Sequence, residues 1–338
     1  MAKDGTLTLP PALATLPGAD INTPTGTTGL FVVCKTAGFV EFYDPATLTR
    51  TDEIKLPDFP HEVVLSPDRA TAYVSIYGNG QVGTNTRPGT QIAVIDLARR
   101  KLTGFIEMAP FLAPHGMSFD RAGQLWATAE TSNAVVVIDP VRGAIVGAVQ
   151  VGSQRTHFIA MTPDGAKLYA PHRQLKMVSV IDVATRTEIK RIPNFRYECQ
   201  GVCVAPDGNR VYQASSARPE ITIIDPHSDE VAGSVMVDGL GGDFSPQLTR
   251  LKVSPDNRWL VVSYNVSRRA AVLDTQDLNR QFLFELDKGP MGIAFQDAGR
   301  RALVTNHDAG SVAIIDLEAM KPVGQFATHM GAEAMAFY

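Results

Sequence analysis

His61, His115 and His157 open similar stretches of this 338-residue chain, and the same slot is later filled by Gln200, Thr249, Met291 and Glu333. The clearest copy reads Pro60-His61-Glu62-Val63-Val64-Leu65-Ser66-Pro67-Asp68. The chain holds seven histidines in all, so three in seven equivalent slots is well above chance. Neutral imidazoles gathered with a carboxylate suit zinc, manganese, iron or copper. His61, His115 and His157 are therefore expected to bind a divalent metal ion, with Glu333 either a fourth ligand or the group that orients an imidazole. The plainer alternative is a ring of polar side chains that solvates a water-filled tunnel.

A second set of reactive side chains follows the second strand of each repeat: Tyr77, Glu130, His172 with Arg173, Tyr264 with Asn265, and Asn306 with His307. His307, His172 and Tyr77 are candidates to move protons, and Tyr264 to do so or to donate hydrogen bonds. Arg173 and Arg196 are candidates to grip a substrate carboxylate in a bidentate fork. Glu130 and Gln200 complete the expected pocket lining.

The spacing of the slots points to the scaffold. They recur at intervals of about 42 to 54 residues, the length of a propeller blade of four short strands. Each unit has an apolar strand ending in a turn such as Ser66-Pro67-Asp68, Thr162-Pro163-Asp164, Ala205-Pro206-Asp207 or Ser254-Pro255-Asp256. Proline followed by aspartate pre-sets such a turn. A later strand ends in aspartate in every unit (Asp44, Asp96, Asp139, Asp182, Asp225, Asp274 and Asp316). Those aspartates are expected to accept hydrogen bonds from the amides of the following turn. The chain starts with the later strands of a unit and finishes on an innermost one. The expectation is an all-β seven-bladed β-propeller over residues 1–338, a single domain. Its last blade is closed by N-terminal strands plus the C-terminal innermost strand, which leaves no open sheet edge. Two insertions, Gly78–Gly89 and Asp238–Pro246, are expected on the histidine side as lids. The units resemble the YVTN-type repeat family of seven-bladed propellers, notably at Val178-Ser179-Val180-Ile181-Asp182 and Ser311-Val312-Ala313-Ile314-Ile315-Asp316. That resemblance implies a fold and leaves activity open, because one fold hosts many functions.

Composition removes other classes. Lys and Arg total 31 and Asp and Glu 35, a net charge of −4 that is unsuited to a general polyanion binder. No apolar run approaches the roughly 20 residues that span a bilayer. Three cysteines are too few for a disulfide framework, so a cytoplasmic protein is expected, or a periplasmic one if a leader has been removed. The expected partner is a small molecule, with no nucleic acid and no membrane. The expected function is a divalent-metal-dependent lyase or hydrolase acting at the channel mouth on a carbonyl- or carboxylate-containing substrate. In architecture and ligand type it resembles streptogramin and oligogalacturonate lyases. The alternatives are an iron-, copper- or manganese-dependent oxidoreductase, similar in its rim histidines to carotenoid-cleaving oxygenases, and a non-catalytic binding or scaffold propeller.

Overall fold

The computed structural model describes residues 27–338, apart from 58, 81–84, 153–154, 174, 194 and 240–248. Within them the chain forms seven four-stranded antiparallel sheets. In chain order, the first six blades begin with the innermost strands Pro60–Leu65, Pro114–Phe119, Ala160–Met161, Cys199–Val204, Thr249–Val253 and Pro290–Gln296. The seventh joins Ala332–Phe337 to Leu30–Cys34, Phe39–Tyr43 and Arg50–Lys55. Leu30 pairs with Phe337 and Val33 with Ala334, so the C-terminal strand completes the blade that the N-terminal strands begin, as expected. Each innermost strand touches the next, and Ala332–Phe337 touches both Pro290–Gln296 and Pro60–Leu65, which closes the ring.

The middle strands are apolar on both faces because both faces meet a neighbouring blade. In Ala134–Asp139, Val136 and Ile138 pack with Tyr73 and Ile92 of the first blade. Val135 and Val137 point the other way, against Leu168 and Ala170 of the third. Seven such apolar clusters among the described residues fill the seven junctions between blades. Burying each valine or leucine there stabilises the ring by about 1.5–3 kcal/mol. The outermost strands have one wet face, and Ala144–Gln150 alternates exposed and half-buried residues accordingly. All seven strand-ending aspartates do accept a turn amide, from Asp182 Oδ1 to Thr185 N at 2.7 Å to Asp139 Oδ1 to Val141 N at 3.0 Å.

The rim slot has its own backbone device. In the first, second, fourth and sixth blades two residues of the innermost strand oppose one residue of the next strand, at His61-Glu62, His115-Gly116, Gln200-Gly201 and Met291-Gly292. Such a β-bulge re-aims a side chain and orphans an amide. A hydroxyl on the second strand accepts the orphan in three blades: Ser75 from Glu62 N (3.0 Å), Thr128 from Gly116 N (2.9 Å) and Thr305 from Gly292 N (2.7 Å). Glu333 is skipped in the same manner in the seventh blade. His157 departs from expectation in lying outside a regular strand: it follows the isolated Thr156–His172 bridge and precedes the two-residue strand Ala160–Met161.

Neighbouring rim segments touch through backbone. Gly116 N lies 3.2 Å from the His157 carbonyl, and a Cβ on Gly116 would stand 2.9 Å from the backbone of Phe158 and Ile159. We expect Gly116→Ala to cost about 1–3 kcal/mol by this overpacking. Gly104→Ala, where a Cβ meets nothing within 4 Å, should be neutral or slightly stabilising. Urea unfolding of the two variants checks the contrast.

Candidate metal centre and active site

The bulges of the first and second blades, with the segment that follows the Thr156–His172 bridge in the third, lay His61, His115 and His157 side by side at the axis. Ring centroids are 4.3 Å apart for His61 and His115 and 3.9 Å for His115 and His157. None of the three is more than 3% exposed. Tyr77 stands edge-on to His61 and His115 at 5.0 and 5.5 Å.

The hydrogen bonds fix the proton on the two outer rings. Gln200 Nε2, a donor only, lies 3.0 Å from His157 Nε2, so that nitrogen accepts. His157 Nδ1 therefore carries the proton and donates it to Glu130 Oε2 at 3.1 Å. His61 Nδ1 faces two carboxylates, Glu62 at 3.2 Å and Glu333 at 3.7 Å, which leaves the lone pair on Nε2. A carboxylate behind an imidazole N–H is the arrangement that orients a metal-binding histidine. The middle ring differs. Both nitrogens of His115 are buried without a hydrogen-bond partner among the described residues. An orphaned buried polar atom costs about 1–3 kcal/mol, and here two sit on one ring, between His61, whose Nε2 carries the lone pair, and His157, whose Nε2 accepts from Gln200. His61, Glu62 and His115 offer ligand atoms within 4.8 Å of one another, and so do His115, Glu130 and His157. Each group offers two imidazoles and a carboxylate, with His115 common to both, and such a donor set fits a divalent ion with borderline-soft preferences.

Dehydration sets the charge state of the cluster. Burial is the main cause that pushes His61, His115 and His157 well below the usual imidazole value, and nearby Lys35, Arg250 and Arg173 add to it. Burial also raises Glu62 and Glu130 to about 7, against the pull of Arg250 on the first and of Tyr77 and Arg173 on the second. Neutral imidazoles with protonatable carboxyls form a site that a cation can enter by displacing protons.

Across the ring lies a charged clamp. Arg250 reaches Glu62 and Glu333, each at 2.6 Å, and its guanidinium lies 5.1 Å from the Phe158 ring centroid. Glu333 also meets His307 Nε2 at 3.3 Å. These groups open on a cavity of about 250 Å³ lined in part by Lys35, His61, His157, Gln200, Arg250 and His307. That is below the 300–1,000 Å³ typical of drug-sized ligands and admits only a small molecule.

The residues expected from sequence are therefore placed as follows. His61, His115, His157, Gln200, Glu130 and Tyr77 come together in one cluster. Glu333 stands on the orienting side of His61 and joins the clamp, and His307 faces the cavity with 23% of its side chain exposed. His172 lies apart: its nitrogens are taken by Thr156 at 3.0 Å and Ser179 at 2.6 Å, and Ser179 passes the chain to Glu188 inside the third blade. Burial lowers His172 to about 4. Arg173 is half-buried near Glu130, whose charge acts on it, and among the described residues its Nε has no hydrogen-bond partner. Arg196 is exposed and lies over the Tyr197 ring at 5.3 Å. Tyr264 belongs to the apolar cluster between the fourth and fifth blades. Of the expected lids, residues 81–84 and 240–248 lie outside the described residues, and Gly80 reaches the cavity wall.

Lys35, Glu62 and Arg250 were not expected. The signal for Lys35 is register. In six blades the residue before the rim slot pairs with the end of the second strand (Ile76, Ala129, His172, Ser215, Asn306 and Cys34). The next residues are Tyr77, Glu130, Arg173, Ser216, His307 and Lys35, an upper tier above the rim. Lys35 escapes a repeat count because its blade is split between the chain ends. A further group that could hold a metal, Glu41 with Glu53 and His329, already contains a cation: Arg50 lies 2.6 Å from Glu41 and 3.1 Å from Glu53.

The titration has a sign that can be tested on metal-free protein. His61, His115, His157 and His172 bind protons more weakly folded than unfolded. Their contribution is complete above the unfolded value near 6.5 and is lost as pH falls below it. Glu62 and Glu130, raised, contribute in the opposite sense: their share is complete below about 4.5 and is lost as pH rises through about 7. Four groups against two leave a net loss on acidification. We expect unfolding free energy measured in urea with a chelator present to fall by roughly 2 kcal/mol per pH unit between about pH 6 and 5, and to be nearly flat near pH 7.

Comparison with known proteins places the fold. No family model and no curated protein sequence matches the chain. Solved structures do. A periplasmic gluconolactonase from Pseudomonas aeruginosa is 18% identical with a TM-score of 0.75, over 91% of this chain and 98% of that one. A functionally unknown protein from Desulfotomaculum acetoxidans is 13% identical with a TM-score of 0.75, over 92% and 99%. Hydrazine synthase of Kuenenia stuttgartiensis is 18% identical with a TM-score of 0.70, over 90% and 98%. At such identities the likeness is one of fold, and the chain is a seven-bladed β-propeller similar in architecture to these three.

Proposed function

We propose that this propeller is a divalent-metal-dependent enzyme that hydrolyses, or eliminates from, a small carbonyl-bearing substrate at the mouth of its channel. One observation carries the reading: His115 is buried with both nitrogens unpartnered among the described residues, between two imidazoles whose Nδ1–H groups are held by glutamates. His61, His115 and His157 would hold the ion. Glu62 and Glu130 would orient the outer rings. A bound divalent ion supplies Lewis acidity toward a carbonyl oxygen, or brings the pKa of a water near neutrality.

The remaining steps belong to side chains. His307 faces the cavity and is oriented by Asp308, whose Oδ1 lies 2.6 Å from its Nδ1. It is the group suited to give or take a proton at the substrate. Arg250 keeps Glu62 and Glu333 apart from solvent and fixed in place. Tyr77 and Phe158 close the apolar side of the imidazole row and exclude water. The gluconolactonase among the structural neighbours makes lactones the first carbonyl class to try. The same proposal includes descent from YVTN-type repeat proteins, supported by the seven strand-ending aspartates, and a cytoplasmic setting, supported by the free thiols of Cys34, Cys199 and Cys203.

Elemental analysis of purified protein is the direct test. Wild type should carry a divalent ion that His115→Ala loses, and equal content in both would overturn the site. Glu130→Gln should keep the fold and weaken metal affinity about 10–100-fold. Hydrolysis of a lactone panel should vanish with a chelator and return with one metal. Copper or iron as the native ion would favour the oxidoreductase alternative, and a metal-free protein a binding propeller.

A further inference from the structure

We propose that Lys35 is the anchor for a substrate carboxylate, so that the cavity selects small monocarboxylates. This rests on the reading of the cavity as a substrate site, and not on the metal.

Lys35 follows the strand Leu30–Cys34, and its own amide is fixed to the Gly331 carbonyl at 2.7 Å. The side chain lines the cavity and the residue is only 9% exposed. Its Nζ lies 5.1 Å from the Tyr77 ring centroid. Among the described residues no hydrogen bond or ion pair reaches that Nζ. An ammonium has three donors and no acceptor capacity, and a buried charge without an acceptor is costly. Burial accordingly pushes the Lys35 amine below its ordinary value, with Glu333 pulling the other way.

The other cation that lines the cavity is committed: Arg250 is bonded to two glutamates and packed on Phe158, and Arg173 is not among the lining residues. The neighbouring imidazoles are held neutral. Lys35 is thus the described cation at the cavity wall that lacks a counter-ion. A ligand carboxylate would supply the acceptor. One free positive charge beside the Glu333 carboxylate matches one negative charge; a phosphate dianion would meet that carboxylate uncompensated. The upper-tier position of Lys35 puts it over the imidazole row, so a ligand held there by its carboxylate presents its remaining atoms to His61 and His307.

The test compares lactate with lactamide, which differ in charge and little in size, by calorimetry on chelator-treated and metal-loaded protein. Lactate should bind at least tenfold more tightly than lactamide in both preparations. Lys35→Met should abolish the difference, and Lys35→Arg should keep most of it. In wild type with reductively ¹³C-methylated lysines, the resonance missing from Lys35→Arg should shift with lactate and not with lactamide, which keeps the test independent of how well Lys35→Met folds. Equal affinity for the two compounds, no binding of either, a preference surviving in Lys35→Met, or tighter binding of inorganic phosphate would each overturn the proposal. A preference seen in the chelator-treated protein stands even if elemental analysis finds no metal, so the two readings fail separately.

Discussion

Seven innermost strands converge on one axis, and a β-bulge at the mouth of several of them re-aims a side chain toward it. Where two residues oppose one, the first is thrown toward the axis and an amide is orphaned. Ser75, Thr128 and Thr305 take up those amides, so the distortion is held without water. Gly116 and Gly292 let the rim segments of adjacent blades come into backbone contact, since a Cβ on either would collide with the neighbouring chain. Everything chemical about the site follows from that crowding. Imidazoles placed at the rim of consecutive blades lie against each other at centroid distances near 4 Å, dry and uncharged.

Dryness in turn dictates who carries protons. A row of imidazolium rings at that spacing is excluded by mutual repulsion and desolvation. Burial instead raises Glu62 and Glu130, behind the rings, to about 7, while Arg250 gathers Glu62 and Glu333 into an ion-paired clamp. The result is nearly balanced in charge, and among the described residues it stores its imbalance in two places: the unpartnered nitrogens of His115 and the unpaired ammonium of Lys35. One lacks a cation or donor and the other an acceptor. They lie on opposite tiers of the same mouth, as a site for an ion together with an anionic ligand would require.

The fold and half of the site could be read from residue order. The Pro-Asp turns, the strand-ending aspartates and the slot holding His61, His115 and His157 are local signals repeated at near-constant spacing, and local signals survive into structure. Glu130 and Gln200 were found because they share those registers. What escaped depended on side-chain reach and on partners far away in sequence. His172 shares the upper-tier neighbourhood of Arg173, yet it falls on the paired residue rather than the next one, so its ring turns into the third blade toward Ser179. Tyr264 likewise sits on the paired position, opposite Thr249. Glu62 and Arg250 each follow a rim slot and looked like ordinary strand residues. Their pairing joins the first blade to the fifth, across the axis, over 188 residues of chain.

A one-residue difference in register therefore separates a residue that works inside a blade from one that works at the mouth. In a strand the side chain alternates faces, and at the end of a second strand that alternation decides between the inter-blade core and the channel. The upper tier of Tyr77, Glu130, Arg173, Ser216, His307 and Lys35 is the set on the channel side. Three of these touch or overlie the rim groups: Tyr77 packs on two imidazoles, Glu130 holds His157 and His307 meets Glu333. Lys35 is placed like them, with its Nζ over the face of Tyr77. Among the described residues no hydrogen bond or ion pair reaches that Nζ, and this together with its place at the cavity wall marks it as reserved for a ligand.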